Sequence, residues 1–353
     1  MSKIVVGMSG GVDSAVTAYL LKAAGYDVIG VTLKNWISDN GENSRCCEIE
    51  EAAIVADAIG IPYYAINCMA EFTEHVIEPF ISEYVCGRTP SPCIECNRYI
   101  KWEHLLKAAQ SMGADRIATG HYAFVDKLEN GRYAVRQAIS AKKDQTYMLY
   151  KLTQDQLART IMPLGNLTKE EVRKIAQDAK LPVANKAESQ EICFIPDGDY
   201  ASYIEEHATV DIPGPGNFVD EEGNVLGQHK GIINYTVGQR KGLGIALGHH
   251  AYVKKIDVAS NSVVLSTNES LFEDEIKCSN INFMSIPDLE NGEELPVTAR
   301  IRYHHGGEKA ILTRTGEDEV TLHFEKGVRA ATPGQSAVFY DDKGYVVGGG
   351  IIK

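Results

Sequence analysis

No apolar run in this sequence approaches the roughly 18 residues that a membrane-spanning helix needs. The first residues, "MSKIVV", run straight into a strand and show no charged-then-apolar leader of a secreted protein. These two absences point to the cytoplasm. Basic charge is also scarce: 35 Lys and Arg stand against 48 Asp and Glu, a net charge of −13. That balance argues against a general nucleic-acid-binding surface, because counterion release rewards a basic footprint. It leaves room for a local basic patch on an acidic body. Internal repeats and low-complexity segments are absent as well.

What is present describes an ordinary globular chain. Hydrophobic residues make up 44% and charged residues 24%, as in soluble proteins, and 353 residues suit two or three domains. Eight cysteines in a large cytosolic chain do not read as a disulfide framework. Cys68, Cys86 and Cys278 read most simply as small buried hydrophobes. Cys93 and Cys96 form a C-x-x-C.

The first third alternates strand and helix signals. "KIVVGM" (3–8), "DVIGVTL" (27–33), "PYYAINC" (62–68) and "DRIATGHY" (115–122) read as strands. Between them run helical patterns, with Val16, Leu20 and Ala23 on one face before a capping Gly25, and Ile49, Ala52, Ala53, Ala56 and Ile59 in register on the next. A third helix is expected over 72–86. This alternation predicts an α/β domain with a doubly wound parallel sheet. Residues 150–180 read as helical, with a capping box at Thr168 and Glu171. Nine glycines between Gly214 and Gly248 then suggest a small glycine-rich β domain. Beyond about 270, alternating segments such as 297–303 and 319–325 predict a β-barrel or sandwich. The expected divisions are 1–204, 205–270 and 271–353.

The chemistry begins at "SGGVDS" (9–14), between the first strand and the first helix. A strand that enters a helix through glycines sets free backbone N–H groups and a helix dipole beside an anion. Gly10 and Gly11 allow close approach, and the Ser9 and Ser14 hydroxyls can donate to phosphate oxygens. The lysine of a Walker loop, which serves transfer of a γ-phosphoryl group, is missing. Its absence suits chemistry at the α-phosphate, with Asp13 placed to help hold Mg²⁺. The spacing matches the pyrophosphate-loop motif of ATP pyrophosphatases, whose members adenylate a carbonyl or carboxylate oxygen.

The ordered set "GMSGGVDS", "TPSPCIECNRYIKW", "ATGHYA", "KKDQTYML", "ESQEICFI" and "YTVGQRKGLGI" resembles the tRNA-specific 2-thiouridylases from end to end. The resemblance implies an adenine nucleotide hydrolase-like, Rossmann-like catalytic domain, followed by the glycine-rich domain and a tRNA-contacting barrel. It implies adenylation of the wobble uridine 2-carbonyl by ATP, then sulfur transfer, with AMP and pyrophosphate released. ATP would sit on Gly7, Met8, Ser9, Gly10, Gly11, Val12, Asp13 and Ser14, with Leu33 and Gly120 near the adenosine. Cys193 would carry a persulfide, and Cys96 would release the sulfur and leave a disulfide. The tRNA would meet Ser91, Pro92, Cys93, His121, Lys143, Asp144, Gln145, Arg302, Tyr303 and Gln335. A persulfide carrier protein or sulfide would supply the sulfur.

One position departs from the pattern. Many members of the family have an aspartate three residues before the first catalytic cysteine, whereas this chain has Cys93. Cys93, Cys96 and Cys193 together could give three thiolates to a [4Fe–4S] cluster with one open iron. Persulfide chemistry, zinc or an incidental cysteine remain alternatives, since a lone C-x-x-C serves all of them. Cys46 and Cys47 stand outside the expected site. His249–His250 and His304–His305 are expected to be incidental, because adjacent residues on a strand point to opposite faces. The rival readings are a pyrophosphate-loop ligase for a small carboxylate, which leaves these cysteines without a use, and a non-catalytic tRNA-binding sulfur carrier.

Overall fold

A computed structural model describes residues 2–37, 48–187 and 192–353. Cys46 and Cys47 lie outside the described residues. The first strand, β1 (Lys3–Gly7), has Ile4, Val5 and Val6 fully buried, as a central parallel strand requires. It pairs in parallel with β2 (Asp27–Lys34) on one side and β4 (Arg116–Ala118) on the other. With β3 (Tyr63–Asn67) and β7 (Thr160–Ile161) the sheet order is β3-β2-β1-β4-β7. A hairpin, β5 (Ala123–Lys127) and β6 (Tyr133–Gln137), precedes β7 in the chain.

Side chains leave this sheet alternately. Val5, Ile29, Val31 and Leu33 join one core cluster, while Ile4, Val6 and Val28 join a second. Both faces are therefore covered, and the expected doubly wound α/β domain is present. Helix α1 (Val12–Ala23) begins two residues earlier than the apolar pattern suggests, directly on the glycine loop. Helix α2 (Ile49–Ile59) ends on Gly60 in the left-handed conformation. The strand expected over 115–122 contracts to three residues. After Ala118 the chain turns across the glycine loop, where a Cβ on Gly120 would come within 2.9 Å of the Ser14 nitrogen.

Two longer helices carry an irregularity that periodicity could not show. In α3 (69–85) and α4 (92–111) a π-type segment interrupts the α-helix, at Thr73–Ile77 and Cys96–Lys101 respectively. The two segments meet, with the His75 ring stacked 5.1 Å from that of Tyr99. Such bulges occur frequently at functional sites. Cys68 and Cys278 are buried as expected, and burial pushes both thiols up to about 12. Cys86 is not: it is exposed at the C-cap of α3, past the last buried turn.

After α5 (Gln154–Ala158), α6 (Lys169–Asp178) and α7 (Tyr200–His207) comes a four-stranded sheet. Its strands are β8 (Gly216–Val219), β9 (Val225–His229), β10 (Tyr252–Asp257) and β11 (Ser262–Ser266), in the order β10-β11-β8-β9. The last six strands close into a barrel: β12 (Phe272–Phe283), β13 (Glu294–Arg300), β14 (Glu308–Gly316), β15 (Glu319–Arg329), β16 (Ser336–Tyr340) and β17 (Val346–Ile352). Closure decides between barrel and sandwich. Val320, Leu322 and Phe324 face its core as the alternation predicts. The strand expected over 297–303 instead ends at Arg300, so Arg302 and Tyr303 leave the ladder.

The barrel is bonded tightly to the catalytic domain. One apolar cluster includes Val5 and Tyr147 of the catalytic domain, Phe218 and Val263 of the small sheet, and Val338 and Tyr340 of the barrel. The Tyr147 hydroxyl donates to the Ser336 carbonyl at 2.8 Å, and Arg132 donates to the Met284 and Phe283 carbonyls. At the centre of this seam Arg300 meets Asp144 at 2.9 Å, where the Asp144 side chain is 1% exposed. The same carboxylate accepts from the Thr146 hydroxyl and the Ala138 N–H. Breaking such a pair leaves an uncompensated buried charge, at a cost of about 3–5 kcal/mol. Arg300→Ala is therefore expected to lower the denaturant midpoint by that amount of stability, while Arg300→Ala/Asp144→Asn recovers part of it. An unchanged midpoint in the single variant would remove the pair from its structural role.

Candidate active site at the glycine loop and the cysteine helix

The order reversal between β1 and β4 opens a crevice at the carboxyl ends of the strands, the usual ligand position in an open α/β sheet. A cavity of about 220 Å³ lies there. Gly7, Met8, Ser9, Asp13 and Ser14 form its floor, with Leu33 and Gly120 on the sides, so most of the expected nucleotide residues line one space. Gly10, Gly11 and Val12 are not among its lining residues. Gly10 is left-handed at φ 77°, and a Cβ there would sit 2.7 Å from the Glu48 Cβ. The Ser14 hydroxyl accepts from the Ser9 N–H at 3.1 Å and donates to the Gly11 carbonyl at 3.0 Å, which holds the loop open.

A lysine reaches the loop from a distance. Lys169 Nζ lies 2.7 and 2.8 Å from the two carboxylate oxygens of Asp13, and the Tyr122 hydroxyl donates to one of them at 2.8 Å. Lys169 is the first residue of α6, fixed by the predicted Thr168–Glu171 capping box. The Lys169 side chain is only 10% exposed. A second lysine, Lys186, donates to the Gly10 carbonyl at 3.3 Å and pairs with Glu48 and Glu51. A third, Lys101, lines the cavity itself. Sequence reading passed over all three. For Lys169 a signal existed: a cation at the first position of a helix opposes the dipole, so its charge must be used elsewhere.

The cavity continues through His121 and Gln145. The Gln145 side-chain oxygen accepts from the Tyr122 N–H at 2.9 Å. His121 Nδ1 lies 2.9 Å from the Thr119 hydroxyl, and desolvation aided by Lys101 holds its imidazole well below the ordinary value. It is therefore neutral at neutral pH.

Helix α4 joins this cavity to the cysteines. Lys101 and Leu105 line the nucleotide space, and Cys96 opens the π segment that ends at Lys101. At 1.5 Å per residue that separation is about 8 Å along the axis. Cys96 is buried and Cys93, one turn earlier, is exposed. Cys193 is half-buried beside the main core, held by Phe194, whose ring packs edge-on against Phe72 and Phe80. Among the described residues no group of three or more His, Cys, Asp or Glu is gathered to hold a metal ion. The cluster ligand set considered from sequence, Cys93, Cys96 and Cys193, is not shown among them. No disulfide joins the described cysteines. The reason given for dismissing the histidine pairs also fails, since neither His249–His250 nor His304–His305 lies on a strand.

The remaining expected residues divide between the cavity and the seam. Tyr303 lies near Cys93 and Asp144, and burial, with those acidic neighbours, pushes its phenol up. Burial and the adjacent Arg329 hold the Arg302 guanidinium below its usual value. Lys143 is half-buried at the edge of the same segment as Gln145. Two residues are bonded within the protein. Asp144 is spent on Arg300, as described. The Gln335 amide donates to the Thr89 and Pro90 carbonyls, and its oxygen faces the Ser91 hydroxyl at 3.4 Å, bracing Pro92 and the start of α4.

A parallel α/β sheet with a glycine anion loop, joined to a closed barrel, defines a HUP-type nucleotide-binding enzyme. Family models agree: residues 2–197 match a tRNA methyl transferase HUP domain, 201–267 a tRNA methyl transferase PRC-barrel domain, and 273–352 an aminomethyltransferase beta-barrel domain. The tRNA-specific 2-thiouridylase MnmA of Lachnoclostridium phytofermentans is 52% identical over 360 residues, covering 100% of both chains. That of Clostridioides difficile is 49% identical, covering 99% of this chain and 98% of the relative. MnmA 1 of Caldanaerobacter subterraneus is 50% identical, covering 100% and 98%. The chain belongs to the tRNA-specific 2-thiouridylase family.

If Lys169 supplies the loop's positive charge, Lys169→Met should reduce ATP-dependent pyrophosphate release about 100-fold, the scale set by removing one charge-stabilising group. Lys169→Arg should keep much of it. Wild-type turnover in Lys169→Met, with unchanged KM for ATP, would reduce the lysine to a packing role.

Proposed function

We propose that the protein spends ATP to place sulfur at the 2-position of the wobble uridine of tRNA. The observation that carries the reading is the course of α4, which links the nucleotide cavity at Lys101 and Leu105 to Cys96 within one helix. In the first step the uridine 2-oxygen attacks the α-phosphorus and pyrophosphate leaves. Backbone N–H groups of Ser9–Ser14, together with Lys169 and Lys186, offset the charge of the phosphates. Mg²⁺ carried by the nucleotide would screen the same charge and would meet Asp13, the carboxylate on the cavity floor.

In the second step sulfur attacks C2, the C2–O bond breaks and AMP departs. A thiol-bound sulfur is a strong nucleophile near neutral pH, which suits a cysteine carrier. Cys193 would hold it as a persulfide received from a carrier protein or from sulfide plus an oxidant. Attack by Cys96 on the inner sulfur would release the outer one and form a Cys96–Cys193 disulfide, which a thiol reductant would reopen. An iron–sulfur site on Cys93, Cys96 and Cys193 is the alternative to this persulfide route, and the experiment below separates the two.

On the RNA side, Arg302, Tyr303, Lys143 and Ser91 would face the anticodon arm, with Tyr303 available to stack on a turned-out base. His121 and Gln145 would stand between base and nucleotide. A cytoplasmic setting, expected from sequence, belongs to the same reading. Among the described residues no helix is long and apolar enough to cross a membrane.

The test is pyrophosphate release and 2-thiouridine formation on unmodified tRNA. Asp13→Ala and Ser14→Ala should lose both. Cys96→Ala and Cys193→Ala should lose thiolation while tRNA-dependent pyrophosphate release persists. Loss of release in the cysteine variants would make those residues structural. Release driven by a small carboxylate in place of tRNA would turn the reading to a ligase. Iron and acid-labile sulfide at about four per chain, absent in Cys93→Ser together with activity, would replace the persulfide route with a cluster.

A further inference from the structure

The segment from Gly238 to Val253 in the small β domain belongs to neither the nucleotide cavity nor the cysteine helix. Its neck is closed by backbone bonds, Gly238 N–H to the Val253 carbonyl at 2.7 Å and Val253 N–H to the Gln239 carbonyl at 3.0 Å. Residues between them form a loop around a cavity of about 240 Å³. Gly242, Gly244 and Gly248 are left-handed there, at φ 76°, 69° and 73°. Glycine takes this conformation without strain and sets no side chain beside the backbone, as in anion-binding turns.

The charge on this loop has one sign. Arg240, His249 and His250 line the cavity, Lys241 follows Arg240, and no acidic residue is among the lining groups. All four side chains are exposed, and none has an ion-pair or hydrogen-bond partner among the described residues. On a chain of net charge −13 this is a local exception. It is also anchored rather than loose. Ile245 packs over Gly227, where a Cβ would meet its Cδ1 at 2.9 Å. Gly238 packs on the barrel, with Arg329 Nη1 3.5 Å and Ala330 Cβ 2.8 Å from a Cβ placed there. Arg302 in turn donates to the Arg329 carbonyl at 3.0 Å. Arg302 and Arg329 of the barrel thus lie at the neck of a loop that carries Arg240 and Lys241.

We infer that the Gly238–Val253 loop is a phosphate-binding site for the RNA backbone, a second point of attachment beyond the seam around Tyr303. The inference rests on the tRNA reading above. A polyanion of repeated phosphates fits separated cations on the barrel and on a glycine-rich loop. Such contacts position the nucleic acid without reading its sequence.

The test compares wild type with Arg240→Ala/Lys241→Ala, both of which are solvent-facing changes. Binding of unmodified tRNA is measured across a range of salt concentrations, with inorganic phosphate and pyrophosphate as competitors. The double variant should bind several different tRNAs more weakly by a similar factor. Its slope of log K against log [salt] should be shallower by about 1–2, roughly one for each phosphate that is no longer neutralised, while ATP binding stays at the wild-type value. Wild-type affinity and slope in the variant, with tRNA bound normally by the wild type, would overturn the loop site and leave the function standing. A wild type that binds no tRNA would overturn both. Disappearance of phosphate or pyrophosphate competition in the variant without any change in tRNA affinity would make the loop a small-anion site instead.

Discussion

The Asp13–Lys169 ion pair is the interaction on which the nucleotide site depends. A loop that receives a polyanion needs positive charge, and this one carries an aspartate in place of a lysine. The backbone N–H groups and the dipole of α1 supply part of what is required. Lys169, 156 residues further along the chain, neutralises that aspartate and pins the start of α6 to the start of α1. The Thr168 cap matters for that reason: it fixes the residue whose ammonium must reach the loop. A Walker lysine belongs to its loop and follows the terminal phosphates. A lysine on a separate helix can sit beside an aspartate until the nucleotide arrives, then divide its charge between the two.

The second constraint is that three domains share a core. The apolar cluster from Val5 to Tyr340 crosses both domain boundaries, and the Arg300–Asp144 pair is buried within the seam. Asp144 and Gln145 are adjacent, so a barrel contact and a nucleotide-cavity residue are fixed by the same backbone. Gln335 does the same for the other wall of the site, holding the Thr89 and Pro90 carbonyls just before the cysteine helix begins. The barrel is thus part of what builds the active site, in addition to any surface it offers to RNA.

The fold was legible because its signals are local. Apolar strands such as "KIVVGM", the glycine turn and the Thr168 box each report the conformation of their own segment. Much of the nucleotide cavity followed from the same loop. What stayed hidden depends on distant partners. Nothing within the "KDQ" segment says that Asp144 will be buried against Arg300, and nothing near Gln335 says that it will brace Thr89. Cys86 was misplaced because its apolar neighbours are buried while the helix cap itself turns outward. The π segments at Thr73–Ile77 and Cys96–Lys101 were invisible because an extra residue in one turn leaves the apolar pattern almost unchanged.

That extra residue has a consequence for the chemistry. A π turn rotates everything after it relative to everything before it. In α4 it runs from Cys96 to Lys101, with Cys93 before it and Leu105 after it. An unbroken α-helix brings residues four apart to nearly the same face, so Cys93, Asn97, Lys101 and Leu105 would form one continuous stripe. With the π turn in place, Lys101 and Leu105 line the cavity while Cys93 lies near Tyr303 and Cys96 is buried in the core. On the proposed reading, adenylation and sulfur delivery meet at one carbon: sulfur adds to C2 and the oxygen then leaves with AMP. A helix whose two halves face different ways suits that demand within about 8 Å, with no movement of one domain against another.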